Sequence, residues 1–154
     1  MSVIILAHLF LLFFLNYLAD YLAQSREMGQ KKSTDMTYLL AHTSIICLVI
    51  FVGMSFVLGI DLALKLAFLN AATHFVVDLI SWNLYSLNVI MRYFPSSTPR
   101  EIFNNIHYYK KELAGFEYWK DEKFYWTIGA DCHTHLFLLI LCYFYIVGPF
   151  KYVS

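Results

Sequence analysis

Apolar positions along the chain gather into four long runs separated by short polar stretches. The first covers residues 2–24 and stops at SREMGQKKSTD; the second covers about 37–58 and stops at the turn VLGID. The third begins near Leu62, passes through LALKLAFLNAATHFVVDLISW and reaches about residue 83. Pro95 and Pro99 then bar any continuing helix. The fourth covers about 125–147 and is closed by Gly148 and Pro149. At about 1.5 Å per residue, such runs match a bilayer core of roughly 30 Å. The pattern predicts an all-α integral membrane four-helix bundle in a single domain.

Residues 92–123 break the pattern by mixing aromatics with charges. Thr98 or Ser97 can cap a short helix with Pro99 in its first turn. Ile102, Phe103, Ile106, Tyr109 and Leu113 then fall near one face, interrupted by Lys110. An interfacial amphipathic segment is expected here, with a lid or substrate-binding element as the alternative.

Composition supports the membrane reading. The 154 residues are 60% hydrophobic and 14% charged, and the mean hydropathy is +0.58. A soluble domain of this size needs more polar surface. The N-terminal run lacks a basic leader and is too long for a signal sequence, so it reads as a retained span. A net charge of zero gives no reason to expect a nucleic-acid partner. Cys47, Cys132 and Cys142 lie singly in apolar runs and read as small core residues.

Charge also sets an orientation. Arg26, Lys31 and Lys32 lie in the first connection; Arg92, Arg100, Lys110, Lys111, Lys120 and Lys123 lie in the third. The opposite side has Lys65 and Lys151. By the positive-inside rule, connections one and three face the cytoplasm and both termini face outward.

Ionisable side chains inside spans are costly and mark functional sites. Span one carries Asn16, Asp20 and Gln24 at four-residue spacing; span two carries His42. Span three carries His74 and Asp78, and span four Asp131 and His135, again four apart. Residues four apart share a helix face, so each set can aim at one point. Counted from the span ends, these residues fall in one layer roughly 5 to 15 Å inside the cytoplasmic boundary.

Asp20, Asp78 and Asp131 would place up to three negative charges in that layer. Lys65 is about 13 Å along the axis from His74. Arg26 can reach back toward Asp20 but cannot serve all three acids. Protonation, imidazolium or a metal ion must do the rest. Mixed Asp and His ligands suit a divalent metal, zinc first, with manganese or iron as alternatives. Polar glue between helices and a proton or ion relay are the competing readings.

The stretches NYLADYLAQ, LLAHTSI, THFVVDLI and DCHTH resemble the DUF3307 family of small bacterial and phage membrane proteins. More distantly, they are similar to the inner-membrane metal-dependent hydrolases of the YdjM (DUF457) type. The resemblance covers all four spans and leaves about 92–124 as an insertion. Asp20, Gln24, His42, His74, Asp78, Asp131 and His135 match the family pattern. Asn16 stands where the family has histidine, and Cys132 where it has glutamine. The resemblance implies a bacterial inner-membrane protein, membrane lipid as its surroundings and metal-dependent hydrolysis as its activity.

The remaining histidines read as bystanders. His8 lies near the outer end of span one, His133 points off the Asp131–His135 face, and His107 sits on the cytoplasmic segment. Trp82, Trp119 and Trp126 read as interfacial anchors. No phosphate-binding glycine loop, GxSxG or HExxH is present.

The expected protein is therefore a membrane hydrolase acting on a phosphoester or similar bond of a lipid-like substrate. His42, His74, Asp78, Asp131 and His135 would bind the metal, and Asp20 would be a ligand or general base. Asn16 and Gln24 would orient their neighbours. A non-enzymatic accessory protein that interferes with a host envelope or its defences, and a proton or divalent-ion transporter, are the alternatives. Near-continuous apolar sequence outward of the layer, with Asn70 the main exception, counts against transport.

Overall fold

The computed structural model describes residues 3–32, 35–112 and 120–148. Helix α1, Val3–Tyr17, widens into a single π-helical turn over Leu18–Leu22, where the Ala23 N–H donates to the Leu18 carbonyl at 2.8 Å. Short α2, Arg26–Lys31, is capped by Ser25. Helix α3, Met36–Leu58, is capped by Asp35. Gly59, at φ +80°, makes the sharp turn into α4, Ile60–Tyr93. Thr98 and Glu101 form a reciprocal capping box that starts α5, Pro99–Asn104, as the expected cap and proline require. Helix α6 is Ile106–Glu112 and α7 is Glu122–Val147.

Four helical stretches are long and apolar enough to cross a membrane: Val3–Leu22, Met36–Leu58, Ile60–Tyr93 and Glu122–Val147. They pack in the order α1, α3, α4, α7. Side-chain bonds from His8 to Tyr143 and from Tyr21 to Cys132 link α1 to α7 and close the ring. Leu12, Ile46, Ile50, Met54, Leu66, Leu139 and Tyr143 fill the core away from α2, and each is essentially inaccessible. The outward surface is also apolar: Phe10 is 76%, Phe56 84%, Phe68 71% and Tyr145 81% exposed. Water would penalise such a surface heavily, whereas lipid does not. This is the build of a multi-pass membrane protein.

The third span departs from its expected end near residue 83 by running on to Tyr93. Tyr85, Val89 and Ile90 keep helical spacing and are buried, so the helix gains packing where Trp82 looked like a border. Trp82 packs against Tyr85 and Phe124. The insertion folds onto this extension as two short helices rather than one, with Ile102 fully buried. Asp121 ties the extension together: it caps α7, accepts from Tyr85 at 2.9 Å and pairs with both Arg92 nitrogens. The Arg92 hydrogen bonds hold its carboxyl below the usual carboxylate range. Leu113, Trp119 and Pro149 lie outside the described residues, as do the side chains of Arg26, Phe103, His107 and Lys110.

Candidate metal centre

Each helix delivers its polar residues to the end of the bundle that carries α2. Asp20 comes from the π-turn that ends the first span, a local widening that recurs at functional sites. His42 lies in the second turn of α3. His74 and Asp78 are stacked one turn apart in the middle of α4, and Asp131 and His135 likewise on α7. All six are at most 9% exposed.

Their functional atoms converge. His42 Nε2 lies 3.3 Å from His74 Nε2, 3.4 Å from Asp20 Oδ1 and 3.5 Å from Asp78 Oδ2. His74 Nε2 is 3.7 Å from Asp78 Oδ2. His135 Nε2 is 3.3 Å from Asp78 Oδ1 and 3.4 Å from Asp131 Oδ1. The His74 and His135 rings stack at 3.6 Å and 9°. Three imidazoles thus turn the same ring nitrogen toward the same carboxylates.

These separations are those of ligands around a shared ion. Atoms held tetrahedrally about 2.1 Å from zinc stand roughly 3.4 Å apart. Asp20, His42 and His74 form one group whose ligand atoms all lie within 4.8 Å of one another, and His74, Asp78 and His135 form a second. Asp78 Oδ2 and Asp131 Oδ1 are buried yet accept no hydrogen bond from the described residues. Burying carboxylate oxygens without hydrogen bonds is expensive, and an ion among them would offset that cost. The residues present fit a divalent ion.

One member was not foreseen. Lys32, the residue that ends α2, is 9% exposed and points its ammonium into the cluster. Its Nζ is 3.2 Å from His42 Nε2, 3.3 Å from Asp78 Oδ2 and 3.9 Å from Asp20 Oδ1. In the sequence it contributes only to the charge asymmetry that sets topology. The signal was its proximity: it lies ten residues before His42, at the end of a very short connection.

Other expected positions fall around this centre. Asn16 and Gln24 each hold a buried side-chain oxygen that accepts no hydrogen bond from the described residues. Asn70 lies one helical turn before His74 and is buried, with its amide nitrogen likewise without a partner among the described residues. Cys132 is half-buried and bonded to Tyr21 at 2.6 Å. His133 is exposed, and its Nδ1–H donates to the Gly129 carbonyl at 2.7 Å. It lines a groove of about 500 Å³ with Tyr125, Trp126 and Gly129 on the outer side of α7. His8 is bonded to Tyr143 at 2.9 Å in the other half of the bundle. No protein-family model, curated protein or solved structure matches the chain.

Proposed function

We propose that this is a metal-dependent membrane hydrolase, acting in the cytoplasmic leaflet of a bacterial inner membrane on a phosphoester or similar bond of a lipid-like substrate. The observation that carries the reading is the meeting of three imidazole nitrogens with Asp20 and Asp78 oxygens at 3.3–3.7 Å in a buried layer. The ligand set favours zinc, with manganese or iron as alternatives. His74, Asp78 and His135 would hold it, with His42 at 3.3 Å from His74, and Asp131 would support His135 from its own helix. A metal so held would polarise a scissile bond and acidify bound water. Asp20, on the π-turn of the first span, would serve as the general base. Basic residues beside α2 and in the third connection favour a cytoplasmic position for this end and an outward position for both termini. The likeness to the DUF3307 family rests on the seven matching residues and points the same way.

The Lys32 contacts favour a second reading. An ammonium already pairs with Asp20 and Asp78, so the layer can also serve as internal glue in a non-enzymatic protein. Elemental analysis of detergent-purified protein separates the two. The hydrolase reading expects stoichiometric metal in wild type and its loss in His74→Ala and Asp131→Ala. It also expects metal-dependent cleavage of a fluorescent phospholipid in vesicles, absent from both variants. Folded wild type that takes up no metal would leave the glue reading standing.

A further inference from the structure

Lys32 reaches the centre from a connection that is firmly held. Glu27 of α2 accepts hydrogen bonds from Lys31 at 2.6 Å and from Tyr38 of α3 at 2.8 Å. Immediately beyond this clamp, the Lys32 ammonium faces His42, Asp20 and Asp78 Oδ2. The opposite side of the centre is built differently. There His135 faces Asp78 Oδ1 and Asp131, and among the described residues neither is paired with a lysine or arginine.

Asp78 lies across the middle, with Oδ1 3.3 Å from His135 Nε2 and Oδ2 3.3 Å from Lys32 Nζ. A carboxylate that presents one oxygen to each of two cations is how paired metal ions about 3.5–4 Å apart are bridged. Here one of the two cationic positions holds an ammonium, 3.3 Å from the oxygen as an ion pair and well beyond coordination distance. Charge agrees. Ionised Asp20, Asp78 and Asp131 against one Lys32 leave two negative charges, the complement of a single divalent ion.

We propose that the Lys32 ammonium takes the place of a second metal ion, so that the centre holds one divalent ion beside a tethered cation. This rests on the metal reading and deepens it. The ion belongs with His74, Asp78 and His135, while Asp20 and His42 are served by the lysine. A fixed ammonium there neutralises Asp20 without leaving coordination positions for a second ion. It also gives an anionic substrate group a positive contact beside the metal.

The test is the zinc-to-protein ratio of the full chain in lipid nanodiscs, loaded with excess zinc and desalted. Wild type, Lys32→Arg and Asp20→Asn should each retain about one ion, and Lys32→Gln about two. Two ions in wild type, or one in folded Lys32→Gln, would overturn the proposal. Should Lys32→Gln not fold, Asp20→Asn still decides: loss of its ion means that the metal sits on the lysine side. Zinc-free folded wild type is a different outcome, because it removes the metal reading itself.

Discussion

The two halves of this bundle treat buried polarity in opposite ways. In the half away from α2, His8 and Tyr143 make one 2.9 Å hydrogen bond within a close-packed apolar core. In the half beside α2, three imidazoles, three carboxylates and one ammonium crowd together. In the first, a ring nitrogen meets a hydroxyl and both groups are bonded. The second is not completed pairwise, since Asp78 faces Lys32 and all three histidines while its Oδ2 accepts no hydrogen bond from the described residues. A pair of buried polar groups joins helices; a surplus of lone pairs aimed at one point could hold a cation.

The contrast can be broken most forcefully at Asp78. Asp78→Ala leaves Lys32 buried without its nearest carboxylate. Removing one partner of a buried ion pair costs about 3–5 kcal/mol, which denaturant titration in detergent would register. Next comes the packed half. A Cβ at Gly53 would run into the buried Leu15 side chain, so Gly53→Val should cost about 1–3 kcal/mol. Its metal content should stay at the wild-type level, and a parallel loss of metal would deny that the halves are independent. Tyr143→Phe deletes the His8–Tyr143 hydrogen bond and should cost only about 0.6–1.7 kcal/mol, again with metal retained.

The smallest effect lies at the Arg92–Asp121 pair, outside both halves. Arg92 depresses the folded-state pKa of Asp121, so the pair stabilises the fold above the ordinary carboxylate range. That contribution fades as the pH falls through the lowered folded value. Thermal unfolding of wild type and Arg92→Met should differ at pH 7 by under about 1 kcal/mol and converge under strongly acidic conditions. A difference that grows with acidity would reverse the assignment.

Much of this arrangement is legible in the linear chain, for a physical reason. Apolar runs report the solvent directly, and the four spans follow from them to within a few residues except at the end of α4. There Tyr85, Val89 and Ile90 find packing partners that no run of hydropathy reveals. The ionisable residues stand out because lipid makes each one expensive, so His42, His74, Asp78, Asp131 and His135 could be picked individually. Lys32 could not. A lysine in a connection is ordinary, and only the turn of α2 carries its ammonium back between Asp20 and Asp78. The regular spacing of Asn16, Asp20 and Gln24 was legible as well. The π-turn at Leu18–Leu22 was not, because no proline or glycine marks it.

Zinc K-edge absorption spectroscopy of the loaded wild-type protein addresses the shared ion most directly. The predicted spectrum has a nitrogen and oxygen shell near about 2.0–2.1 Å, with outer-shell scattering from at least two imidazoles. That imidazole signal should fall in His135→Ala. A spectrum of hydrated zinc without imidazole scattering, or one unaltered by that substitution, would contradict the account.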